Sequence, residues 1–425
     1  MSLTLGAWSG LGRIAAPALR IMLRRRLAVG KEIAGRLPER EGIESLPRPD
    51  GLLFWLHAAS LGETASILPV LAVLARDPGT FLVTTGTVTA ARLLAQRLPL
   101  MGLAERVIHR FVPLDVPAWA SRFLDHWRPN AAGFVESEIW PNLLIASRRR
   151  GIPLMLINAR LSARSLSRWR MVPATARALL SGFALIHPQS AGDAERFASI
   201  APSDARILPP GNLKLAAPPL PVDQAELSHL STLIGGPVWI AASLHRGEDE
   251  MVLAAHQSLA ATHPGILTII VPRHPERGGA IAELAGGAPQ RSLGAPPPRS
   301  GGVWVADTVG ELGLIYRLAP VAFVGGSLIP HGGQNPAEPA RLARAVGIGP
   351  HTANFTETVA LLREGGALTE IPNANEIAPW VDARLRDPWG TTASGERGAK
   401  LLDGFSTIPA EVAAMLRDLA TPRAA

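Results

Sequence analysis

Residues 52–76, LLFWLHAASLGETASILPVLAVLAR, decide the fold. Leu52–His57 is a continuous apolar run of strand length, the pattern of a strand buried on both faces of a parallel sheet. The small residues of the HAASLGE segment, His57 to Glu63, form a tight turn that opens a helix, and Thr64–Arg76 carries apolar residues at helical spacing. Strand, turn and helix are thus the unit to look for in the rest of the chain.

The unit recurs. Candidate strands at Phe81–Thr85, Val107–Val112, Ala131–Val135, Pro153–Ile157 and Phe183–His187 alternate with helical segments such as Val88–Arg97 and Trp140–Arg150. Leu208–Pro221, LPPGNLKLAAPPLP, has five prolines in fourteen residues and reads as an extended connector. A second series follows, with strands at Val238–Ala242, Ile266–Val271, Val303–Val305 and Val321–Val324, and a Pro/Gly-rich surface loop at Gly286–Gly302. The expected class is α/β: two Rossmann-like domains whose strand-end loops face a central cleft. The expected boundaries are a basic amphipathic segment over 1–40, a first domain over 41–215 and a second over 216–425, the last helix being free to pack back on the first domain.

Composition narrows the function. The 425 residues are 47% hydrophobic and 18% charged, which suits large buried cores. With no cysteine, disulfides, thiolate metal sites and cysteine nucleophiles are excluded. A net charge of +7 favours anionic partners. Basic segments lack interleaved aromatic rings, so nucleic acid is not the expected partner.

No apolar stretch of spanning length is free of charge. Near the N-terminus, Leu11, Ile14, Ala15, Ala18 and Met22 share one helical stripe, while Arg13, Arg20 and Arg24 lie opposite. The pattern fits a helix lying in an anionic membrane interface, and equally a helix packed on the first domain. Pro17 is expected to kink it.

Strand ends carry the chemistry. Glu63, in the first turn after HAASLGE, is either a helix-dipole partner or a general base. FVESEIWPN places Glu136 and Glu138 after another strand, and NARLSARS offers Arg160 and Arg164. GNLK puts Lys214 in the connector, where it reads as a mobile point charge. In the second domain, SLHRGEDE opens a helix and VPRHPER exposes Arg273 and His274. DTVGELGLIY sets the Gly310–Glu311 backbone at a helix start, and FVGGSLIPHGGQNPAEPA starts another at Pro336, with Glu338 in its first turn. Four such loops in one domain point to a nucleotide site. Metal-site spacings, Walker A and G-x-G-x-x-G are absent.

Taken in order, WLHAASLGE, ESEIWPNLL, NARLSARS, GNLK, PRHPER, DTVGELGLIY, FVGGSLIPHGGQNPAEPA and GPHTANF resemble the Kdo transferases of Gram-negative lipid A assembly. The resemblance spans about residues 50 to 360. It implies a two-domain GT-B fold and an inverting, metal-independent transfer from CMP-Kdo to the lipid A precursor, lipid IVA, with no resident cofactor. It also implies a place at the cytoplasmic face of the inner membrane, peripheral or N-terminally anchored. Glu63 becomes the base, with Glu136 and Lys214 supporting the transition state. CMP contacts fall on Pro272, Arg273, Val309, Gly310, Glu311, Asn335, Pro336, Ala337 and Glu338. Gln334 and Val309 depart from the family's usual His and Met. A UDP-sugar epimerase of the same fold is the alternative.

Overall fold

The structure, a computed structural model, describes residues 3–421. The chain divides into two compact units, Met1–Ala217 with Phe405–Ala425, and Pro218–Gly404.

The first unit is built on six parallel strands: β1 (Leu53–Ala58), β2 (Thr80–Thr85), β3 (Val107–Phe111), β4 (Ala131–Val135), β5 (Leu154–Ala159) and β6 (Leu185–Pro188). They lie in the order β3-β2-β1-β4-β5-β6. Every residue of β1 is buried. Leu53 and Trp55 face one core with Phe123, Trp127 and Phe134. Phe54, Leu56 and Ala58 face the other, with Ile67, Leu71, Val412 and Leu416. Alternate side chains thus enter two cores, which is why the strand reads as one unbroken apolar run.

The second unit holds β7 (Val238–Leu244), β8 (Leu267–Pro272), β9 (Gly302–Val305), β10 (Val321–Val324), β11 (Ala345–Ile348) and β12 (Leu368–Glu370). Their order, β12-β11-β10-β7-β8-β9, matches that of the first sheet when counted from the first strand of each unit. In each sheet the order reverses beside that first strand, between β1 and β4 and between β7 and β10. Such reversals leave a crevice at the carboxyl ends, where ligands of open parallel sheets bind.

Three features refine the sequence expectation. First, the N-terminal helix Leu3–Ala28 continues through Pro17 without interruption. Pro17 and Arg13, whose carbonyl it leaves without an intrahelical donor, both lie on the exposed side of the helix. Leu5 and Leu23 are buried against the first unit, Trp8 Nε1 donates to Asp115 at 2.9 Å, and Ser9 Oγ donates to Asn142 at 2.6 Å. Leu11, Ile14, Ile21 and Met22 stay exposed. The helix therefore packs on its unit and still presents an apolar stripe. Among the described residues no helix is long and apolar enough to cross a membrane.

Second, the proline-rich connector is not free over its length. Asn212, Leu213, Leu215 and Ala216 are buried in the first unit, so Lys214 sits on a fixed segment and not on a mobile one. Third, the terminal helix Ile408–Ala420 belongs to the first unit, burying Ile408, Val412, Ala413, Leu416 and Ala420 against the helix Leu61–Leu74 and β4.

Candidate active site

In the first unit, β1 delivers His57 and then Ser60 at the start of the helix Leu61–Leu74. Ser60 is its N-cap, accepting from the Glu63 amide at 3.3 Å. Glu63 returns the contact: its carboxylate accepts from the Ser60 hydroxyl at 2.6 Å and the Ala59 amide at 2.8 Å. This resembles the reciprocal S-x-x-E capping box, with the backbone donor one residue before the cap, so the carboxylate helps start its helix. It is also buried. Burial raises its pKa above the ordinary carboxylate value, and the charges of Glu138 and Glu136 push the same way, against the Ser60 and Ala59 hydrogen bonds.

The other two carboxylates follow β4. Glu136 adopts a left-handed backbone, φ 59°, and pairs with the Lys214 ammonium at 2.6 Å. Glu138 accepts from Trp140 Nε1 at 2.5 Å and lies 3.3 Å from His57 Nε2. Burial works against its ionisation, but the His57 and Trp140 contacts outweigh that and hold its carboxyl below the usual range. His57 itself is fully buried, its Nδ1 3.0 Å from the Thr84 hydroxyl. The two acids of ESEIW thus have separate partners: Glu136 meets the lysine and Glu138 the histidine.

In the second unit, Pro272 ends β8 and Arg273 is exposed, its amide donating to the Leu244 carbonyl at 2.9 Å. Val309 is exposed and Gly310 is left-handed at φ 89°. Glu311 precedes the helix Leu312–Arg317, but its carboxylate is clasped by Arg291 at 2.7 and 3.0 Å and by Thr308. The Arg291 hydrogen bonds hold its pKa down, and they leave its backbone, not its side chain, for a ligand. Asn335 accepts from the Ala337 amide at 3.1 Å and donates to Glu338 at 3.3 Å, bracing Pro336 and the helix Ala337–Arg341.

Two residues inside quoted motifs have roles the sequence reading did not give them. Glu248, fully buried, accepts from the amides of His245, Gly326, Ser327 and Leu328 at 2.6–3.0 Å. It ties the loop after β7 to the glycine turn after β10, at the reversal of strand order. The sequence marked it only as part of a helix start. Asn158, also fully buried, accepts from the Leu213 amide at 2.9 Å. The sequence named it only as the first residue of NARLSARS, whose arginines drew the attention. Gln334 donates to His245 Nε2 at 3.0 Å, with the His331 ring 3.8 Å from that of His245. Burial, foremost, and the neighbouring His331 charge depress the His245 pKa. Among the described residues no three His, Asp or Glu side chains are grouped as metal ligands.

Known proteins supply a family context for this geometry. The family model described as 3-deoxy-D-manno-octulosonic-acid transferase (kdotransferase) matches residues 31–217. A probable, mitochondrial 3-deoxy-D-manno-octulosonic acid transferase of Arabidopsis thaliana is 37% identical over 390 residues, 88% of this chain and 86% of the relative. The transferase of Haemophilus influenzae is 34% identical over 377 residues, covering 86% and 87%. Among solved structures, the UDP-GlcNAc 2-epimerase of Neisseria meningitidis bound to UDP-GlcNAc superposes with a TM-score of 0.58, over 87% of this chain and all of that one. At 14% identity that likeness concerns the fold alone.

Proposed function

Because the chain belongs to the 3-deoxy-D-manno-octulosonic acid (Kdo) transferase family, we propose a donor, an acceptor and a chemistry for it as a GT-B glycosyltransferase of lipopolysaccharide biosynthesis. The donor is CMP-Kdo and the acceptor a lipid A precursor such as lipid IVA. The transfer is a single inverting displacement. An acceptor hydroxyl oxygen bonds to the anomeric carbon of Kdo as the bond to the CMP phosphate oxygen breaks. CMP leaves with that electron pair, and the hydroxyl proton passes to the Glu63 carboxylate.

The observation that carries this reading is the state of Glu63. It is a buried carboxyl of raised pKa at the end of β1, beside the reversal of strand order, with the Glu136–Lys214 pair at the end of neighbouring β4. A base works best when its pKa lies nearer the operating pH than an ordinary carboxylate's. In the first unit the Glu136–Lys214 pair supports the transition state, and in the second the exposed Arg273 supplies positive charge to a donor bearing a phosphodiester and a carboxylate. CMP contacts fall on Pro272 and Arg273, on the Val309–Glu311 backbone and on Asn335–Glu338. The transfer needs neither a resident cofactor nor a metal in this reading.

The exposed stripe of the N-terminal helix, with exposed arginines at 13, 20 and 24, suits an anionic membrane surface. That favours the cytoplasmic face of the inner membrane as the working place. CMP release from CMP-Kdo, measured with and without lipid A precursor, tests the function. Release that depends on the acceptor is expected. Release indifferent to it, or turnover of UDP-GlcNAc instead, would reject the assignment.

A further inference from the structure

Asn158 occupies a position that an apolar strand has no intrinsic use for. It lies in β5, is fully buried, and has a left-handed backbone, φ 53°, where the β5–β6 register shifts between Leu156 and Ala159. Asn tolerates that conformation better than other residues with a side chain, but glycine would adopt it without any buried amide. Among the described residues the Asn158 Nδ2 has no hydrogen-bond partner. What the side chain does contribute is one acceptor, taken by the Leu213 amide.

That acceptor is one link of a short chain of contacts. The Gly211 amide donates to the Pro188 carbonyl at the end of β6, the Leu213 amide to Asn158, and the Lys214 amide to Asn212 Oδ1 at 3.0 Å. On the other side, the Glu136 amide donates to the Ile157 carbonyl at 2.8 Å, next to Asn158. Glu136 and Asn158 are thus two left-handed residues at adjacent strand ends. One binds the Lys214 ammonium and the other binds the backbone one residue before that lysine.

We propose that Asn158 is a positioning residue for the transfer, holding the Gly211–Lys214 segment so that Lys214 rests on Glu136. The proposal builds on the reading that Glu136 and Lys214 support the reaction. Asn158 touches no reacting atom and acts only through the register it gives the lysine. Misplacing a supporting charge by about 1 Å costs on the order of 100-fold in rate.

The test is a double-mutant cycle on the full-length protein, with Asn158→Gly, Lys214→Ala and the double variant. Readouts are kcat and KM for Kdo transfer from CMP-Kdo to lipid A precursor, and thermal melts. Asn158→Gly keeps the backbone conformation and removes only the acceptor. It is expected to melt cooperatively and to lose kcat about 10- to 100-fold with little change in KM for CMP-Kdo. The double variant should be no slower than Lys214→Ala alone, because both changes disable the same ammonium.

A slow Lys214→Ala with a wild-type Asn158→Gly, or losses that multiply in the double variant, would overturn the role of Asn158 alone. A wild-type rate for Lys214→Ala would overturn it together with the reading beneath it. If Asn158→Gly does not fold, Asn158→Asp decides the matter, since it keeps an acceptor oxygen and tolerates the same backbone. Transfer within about fivefold of wild type supports the proposal, and a loss as deep as that of Lys214→Ala overturns it.

Discussion

Glu63 is a helix cap and, in the proposed reaction, a base, and the two duties have different pH signatures. As a base it must be ionised, so kcat should fall as pH drops through its raised pKa, above the ordinary carboxylate value of about 4.3. As a buried group with a raised folded pKa, it favours folding when protonated. That contribution is fully present below the unfolded value and is lost as pH rises through the folded one. Glu63→Gln should therefore lose about 100- to 10,000-fold in kcat, while its melting temperature gains on that of wild type as pH rises through the same window. A rate within a few-fold of wild type would leave Glu63 as a cap only. The residue was legible because its loop is small-residue-rich and follows an apolar strand. The division of labour between Glu136 and Glu138 was not, since spacing cannot say that one carboxylate meets Lys214 and the other His57. Nor does a sequence print a left-handed φ, which is what sets Asn158 apart.

Elements reach the site through their ends, and two of them make separate predictions. The glycine turn after β10 is held by one carboxylate, Glu248, through three of its amides and that of His245. Glu248→Ala strands those buried donors. Unmet buried donors cost about 1–3 kcal/mol each, so the second unit should lose at least about 3 kcal/mol in urea unfolding, with weaker CMP binding. The N-terminal helix leaves Leu11, Ile14 and Met22 to solvent, while Arg20 already pairs with Glu41 at 2.6 Å. Replacing Arg13, Arg20 and Arg24 with Gln should weaken sedimentation with anionic vesicles and its salt sensitivity, by about 1 kcal/mol for each arginine freed to meet lipid. Unchanged sedimentation would remove the membrane from the account. Long apolar strands such as β1 and β8 were readable because both faces are buried. β11, AVGI, and β12, LTE, were not: a glycine interrupts the apolar run of the one, and the other is three residues long with a single buried apolar residue. The connector misled for a related reason: its prolines advertise extension, while the burial of Leu213 and Leu215 arises from tertiary packing.

At the scale of the whole molecule, the first unit is discontinuous, made of Met1–Ala217 and Phe405–Ala425. Its last helix fills one core with Ile408, Val412 and Leu416, and Arg417 pairs with Asp77. Ile408 also presses on the segment that carries Lys214, since a Cβ on Gly211 would come within 2.7 Å of Ile408 Cδ1. Each large apolar side chain buried contributes about 1.5–3 kcal/mol. A chain ending at Gly404 should therefore show protease cleavage within residues 31–217, while the second unit resists digestion. Equal resistance of both units would contradict the packing. The same topology fixes an order of events during translation. Residues 1–217 leave the ribosome before the helix that closes their core has been made, and the whole second unit is synthesised in the interval. An apolar groove along the helix Leu61–Leu74 and β4 stays open on the nascent chain until the helix Ile408–Ala420 emerges. Transiently exposed apolar surface of that kind is prone to aggregation, and the Lys214 segment acquires its final support only when that helix docks.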